Sequence, residues 1–98
     1  MIGIECTMFP GGFSGEIGFE IKHENGVHVG LAPRRYVFDK NKQSIGDEPV
    51  GKRVPGYVAI RILQVEEGNV LVSIPDGEVV KIKKDQIEVS ESAPSVPV

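Results

Sequence analysis

Hydrophobic residues recur at every second position along this chain. Ile2, Ile4, Cys6 and Met8 share one parity, with Gly3, Glu5 and Thr7 between them. Ile17, Phe19 and Ile21 alternate with Gly18, Glu20 and Lys22, and Val27, Val29 and Leu31 alternate with His28 and Gly30. Val58, Ile60 and Ile62 follow, then Val70, Val72 and Ile74, then Val80 and Ile82. No window holds the i, i+3, i+4, i+7 stripe of an amphipathic helix. Half-buried strands separated by turn residues predict an antiparallel all-β protein.

The hairpin loops can be argued from parity. A two-residue loop at Asn25-Gly26 would pair Ile21 with Gly30 and Lys22 with Val29, setting the apolar residues of the two strands on opposite faces. A one-residue slip reverses every side chain. The pattern therefore predicts a three-residue loop, Glu24-Asn25-Gly26, with Ile21 opposite Val29 and Phe19 opposite Leu31, and Gly26 left-handed. By the same reasoning Pro75-Asp76-Gly77 pairs Val72 with Val80 and Val70 with Ile82.

Sliding the chain so that Gly26 meets Gly77 lays residues 19–38 over 70–89. Phe19 then coincides with Val70, Ile21 with Val72, Val29 with Val80, Leu31 with Ile82, Tyr36 with Ile87 and Phe38 with Val89. The pattern reads as two similar β-units in tandem. The expected division is 1–48 for the first unit, 49–56 for a polar connection, 57–89 for the second unit and 90–98 for a disordered tail. Neither unit holds enough core alone, so the two are expected to pack together, with room for a homodimer covering exposed sheet edges.

Composition narrows the function classes. Of 98 residues, 40% are hydrophobic and 26% charged, the balance of an ordinary soluble globular chain. The net charge of −3 is spread along the sequence: residues 1–49 carry five basic and seven acidic side chains, residues 50–98 six and seven. Neither half has the basic excess that general nucleic-acid coating requires. The single cysteine, Cys6, excludes an internal disulfide framework and fits a reducing cytosol, so a cytoplasmic location is expected. The longest apolar runs, such as Val58-Ala59-Ile60, span three residues, so no membrane span or signal segment is expected.

Gly30-Leu31-Ala32-Pro33-Arg34-Arg35-Tyr36-Val37 resembles the C-terminal signature of SH3 domains, in which a strand ends in a proline-containing 3-10 turn followed by Tyr-Val. Ile82-Lys83-Lys84-Asp85-Gln86-Ile87 holds the equivalent place after the second hairpin, as in bacterial SH3-like barrels. The resemblance implies two small antiparallel barrel units with short 3-10 turns. It departs from the family pattern at Arg35, where asparagine is usual, in the lack of tryptophan and in the missing acidic RT loop. The resemblance sets Tyr36 on a binding groove. The internal repeat assigns it to packing, the preferred reading because the groove's other members are missing.

Candidate contact residues follow. Phe9 and Phe13 flank a glycine-rich loop that reads either as a platform for a partner or as plugs for an open barrel end. With Pro33, Arg34, Arg35 and Tyr36 they form the leading surface for a protein or peptide partner. Arg34 and Arg35, with Lys83 and Lys84 of the second unit, serve the alternative reading, a KOW- or Tudor-like RNA- or ribosome-associated factor. The three-residue loop sends His23 and His28 to opposite faces, so they are not expected to share a metal. Cys6 reads as a small buried hydrophobe. Pro94-Ser95-Val96-Pro97 could dock as a polyproline helix. Ser14 lies in no nucleophile elbow, and no carboxylate pair sits in an apolar setting. Neither catalysis nor a cofactor is expected.

Overall fold

The computed structural model describes residues 1–13 and 15–90. Ser14 and the Pro94–Pro97 tract of the expected tail lie outside the described residues. The described residues form nine strands: β1 (Ile2–Pro10), β2 (Glu16–His23), β3 (Gly26–Pro33), β4 (Val37–Asp39), β5 (Val54–Ala59), β6 (Arg61–Val65), β7 (Asn69–Ser73), β8 (Val79–Lys83) and β9 (Ile87–Val89). Two 3-10 turns, Arg34–Tyr36 and Lys84–Gln86, are the only helical elements among the described residues. The protein is all-β, as the alternation predicts.

Two antiparallel sheets result. One runs β3-β2-β1-β5-β4 with β9 also on β1, and the other runs β6-β7-β8. β1 organises the first. Along one edge its Gly3–Met8 stretch pairs with β5. Along the other, Ile2–Ile4 pair with β9 and Thr7–Pro10 with β2. β5 begins at Val54, within the stretch expected to be a polar connection.

Each half lends a strand to the other. β4 lies on β5 through Val37↔Val58, Phe38↔Tyr57 and Asp39↔Gly56. β9 lies on β1 through Ile87↔Ile4, Glu88↔Gly3 and Val89↔Ile2. Ile4 and Val58 are themselves paired, and both are fully buried. The two registers are therefore related by an approximate twofold at the Ile4–Val58 pair. In each half, a hairpin leads into a 3-10 turn and then a short strand that closes on the first strand of the other half. This arrangement of small antiparallel sheets is compatible with an SH3-like fold.

A single buried cluster spans both sheets. Ile4, Cys6 and Met8 of β1 and Ile17, Phe19 and Ile21 of β2 pack with Val58, Val70, Val72, Ile74 and Ile82. Burying each large side chain contributes roughly 1.5–3 kcal/mol, and both halves contribute side chains to this one core. Among the described residues, no buried side-chain nitrogen or oxygen lacks a hydrogen-bond partner.

The second hairpin takes the register its sequence predicts, with Val72↔Val80 and Val70↔Ile82. Gly77, at φ +94°, ends the Pro75-Asp76-Gly77 loop in a conformation that side chains disfavour. The first hairpin differs. His23 pairs with Gly26, so the loop is Glu24-Asn25, and Ile21 faces His28 while Phe19 faces Gly30. Gly26 does have a positive φ, +135°. The apolar set of β3 is turned outward: Val27 is 55% exposed, Val29 57% and Leu31 43%.

The reason lies in what packs on the inward face of β3. His28 Nε2 sits 2.6 Å from Asp76 Oδ2, and its ring lies 6.0 Å from that of Phe19. A side chain at position 30 would collide with the Asp76 carboxylate and come within 3.0 Å of the Phe19 ring. The β7–β8 turn thus occupies the space that inward-facing valines would need. Parity alone could not anticipate this, because the competing contact comes from residues 48 positions away.

Candidate functional site

The glycine-rich loop separates its two phenylalanines. Phe9 is half-buried and lies over Gly18, where an added Cβ would run into its ring. It seals the outer face of β2, so here neither a barrel plug nor an open platform describes it. Phe13 is 77% exposed, which removes it from any plugging role. It borders a recess of about 390 Å³ with Pro10, Ile17, Arg34, Pro49 and Val50.

The turn after β3 distributes its side chains differently. Pro33, half-buried, ends β3 opposite Glu16. The Arg34 amide donates to the Gly15 carbonyl at 3.2 Å. Its Nη1 donates to the carbonyls of Gly46 and Glu48 at 3.1 and 2.8 Å. Arg34 is therefore a clamp that ties the 46–48 segment to the 3-10 turn. Arg35 instead stacks its guanidinium 4.7 Å from the centroid of the Tyr36 ring, a cation–π contact.

Tyr36 is 39% exposed, contrary to the packing role that its pairing with Ile87 suggested. The 3-10 turn shifts the phase by one residue: Val37 and Phe38 are buried, and Val37 holds on β5 the place that Ile87 holds on β1. The Tyr36 ring borders a groove of about 330 Å³ with Ala59, Ile60, Arg61, Ser73, Ile74 and Pro75, where the two sheets meet. Sequence reasoning missed the walls of this groove. Pro75 was legible only as a turn residue and Ile60 only as an inward strand position.

The structure thus scatters the six leading candidates. Phe9 covers β2, Pro33 ends β3 opposite Glu16, Phe13 and Arg34 share one recess, and Tyr36 borders the groove between the sheets with Arg35 stacked on its ring.

Lys83 and Lys84 are exposed at the end of β8 and the start of the second 3-10 turn. A concavity of about 480 Å³ opens where β2 and β9 part on the edge of β1. Glu5, Glu20, Asp85 and Glu88 line it, with Lys22 and Gln86. Gln86 Nε2 donates to the Lys22 carbonyl at 2.9 Å across it. Two of these four carboxylates are ion-paired, Glu20 with Arg53 at 3.2 Å and Glu88 with Lys42 at 3.1 Å.

His23 and His28 share the inward face of β3 and β2, which corrects the expectation that the hairpin would set them apart. Their partners differ. His23 Nδ1 accepts from the Asn25 amide at 3.2 Å, and His28 bonds Asp76. Among the described residues, no group of three or more His, Cys, Asp and Glu is placed to hold a metal ion. Cys6 is buried, and burial, with a smaller contribution from the Glu5 charge, pushes its thiol up to about 12. Among the described residues, no helix is long and apolar enough to cross a membrane. No protein-family model, curated protein or solved structure matches the chain.

Proposed function

We propose that this chain is a non-enzymatic, cytosolic interaction module of the SH3-like kind. It binds an extended segment of a protein partner in the groove beside Tyr36. The observation that carries this reading is the half-exposed Tyr36 ring with Arg35 stacked on it, above apolar walls formed by Ile60, Ile74 and Pro75. A large amphipathic ring that opens onto an apolar groove offers contact area at low entropic cost. The cation stacked against it adds a handle for an acidic or carbonyl-rich segment.

The RNA- or ribosome-binding alternative has less support. Arg34, one of its four cations, donates to backbone carbonyls, and the concavity beside Lys84 is lined with carboxylates. A displayed library of short peptides, selected on the full chain, tests the proposal. Selected peptides bind with little dependence on salt, and Tyr36→Ala weakens them about tenfold or more. Failure to select any peptide, together with steeply salt-dependent capture of RNA, overturns it.

A further inference from the structure

The pairing between β1 and β5 ends at Gly3↔Ala59, with the Ile60 amide donating to the Ile2 carbonyl at 2.9 Å. Beyond that point the chain continues as β6, with β7 on one edge and, among the described residues, no strand paired on the other. All five residues of β6 are exposed, and three are large and apolar: Ile62 at 40%, Leu63 at 49% and Val65 at 61%. The register shift between Ile62 and Gln64 sets Ile62 opposite Val72 and Val65 opposite Val70. Val70 and Val72 are buried, so Ile62 and Val65 extend the core face beyond its cover.

The equivalent stretch of β1 shows what is missing. Cys6 and Met8, 5% and 3% exposed, lie in the shared core cluster, and β5 continues alongside them through Cys6↔Gly56 and Met8↔Val54. Among the described residues, β6 has no such neighbour. Free edges of this kind are normally blunted by charge, proline or an overlying segment. Here only the ends of the strand are charged, Arg61 at the start and Glu66-Glu67 just past the finish.

That charge order is self-complementary when the strand is reversed. We propose that β6 is the edge through which a second copy of this chain binds. The two β6 strands pair antiparallel about Gln64, with Arg61 opposite Glu67, and join two three-stranded sheets into one. Arg61 of each copy then lies against the Glu66–Glu67 end of the other, and the apolar side chains of both copies cover one another. Such an isologous contact closes on itself, which protects the edge from open-ended growth. Arg61 also lines the groove beside Tyr36, whereas Leu63 and Val65 do not, so Leu63→Lys is the variant that separates the dimer from peptide binding.

Sedimentation of the full chain from about 1 to about 500 µM tests the proposal. The expected result is a concentration-dependent dimer that Leu63→Lys weakens about tenfold or more, with unchanged circular dichroism. Arg61→Glu weakens it similarly, and Arg61→Glu combined with Glu67→Arg restores it to within about threefold. Glu67 is chosen because Glu66 already pairs with Lys81 at 3.1 Å. Should Leu63→Lys fail to fold, the charge-reversal pair decides the matter. A monomer throughout the range, failed restoration by the charge-reversal pair, or a dimer lost with Val29→Lys on β3 instead of Leu63→Lys overturns the proposal.

Discussion

His28 Nε2 on β3 and Asp76 Oδ2 in the β7–β8 turn lie 2.6 Å apart and join the two sheets through side chains that are 20% and 15% exposed. The same carboxylate accepts from the Glu78 amide through Oδ1 at 2.9 Å, so the aspartate both shapes its own turn and holds the neighbouring sheet. Asp76→Ala is expected to lower stability by about 1–3 kcal/mol, the range for a hydrogen bond that involves a charged group. Denaturant unfolding measures the loss. A change under about 0.3 kcal/mol would refute the assignment.

Gly30 is coupled to that contact. Its missing side chain leaves the space in which the Asp76 carboxylate and the Phe19 ring approach β3. Gly30→Ala should cost about 1–3 kcal/mol in the native background. The cost should fall by half or more in the Asp76→Ala background, which a double-mutant cycle reads directly. Strictly additive costs would show that the carboxylate is not the obstacle.

Cys6 predicts an alkaline effect. In the folded chain its thiol stays neutral up to about pH 12, whereas the ordinary value is 9.0. A thiol whose folded value is raised binds its proton more tightly when native. Stability from this group is therefore complete below pH 9 and declines as pH rises from 9 toward 12. Urea unfolding of wild type against Cys6→Val isolates the effect, since other groups titrating there cancel in the difference. Thiol reagents should label Cys6 only after denaturation.

Ile4 sits at the shared centre of both halves, fully buried and paired with Val58 and Ile87. Ile4→Ala is expected to cost about 2–5 kcal/mol and to lower a single transition. Probes placed in the two sheets should report the same midpoint, because one cluster serves both. Separate midpoints would show that the halves are independent.

Arg34→Ala tests the clamp. Losing the bonds to the Gly46 and Glu48 carbonyls should cost about 1 kcal/mol and speed proteolytic cleavage near residues 44–50. Peptide binding at Tyr36 should persist in this variant, since the arginine faces the other recess.

Strand existence and fold class were legible because a two-residue period needs only local sequence. Val70, Val72 and Ile74 are buried where alternation puts them, and the second hairpin has its expected loop. The first hairpin misled because alternation marks a set of apolar residues without saying which side the core is on. Val27, Val29 and Leu31 look like core positions, yet His28, Gly30 and Ala32 take the inward places. The groove beside Tyr36 was illegible for a related reason. Its walls come from residues about 25 to 40 positions downstream, and no local period encodes that meeting.

Because Val89 lies on Ile2, with Met1 and Ser90 bonded to each other through their backbones, β1 waits for a strand more than eighty positions downstream before its ladder is complete. A nascent chain on the ribosome can assemble the β2–β3 hairpin early, but it must leave part of β1 unsatisfied until β9 emerges. Such distant closure slows the search for the native topology and prolongs the time that apolar strand edges stay open.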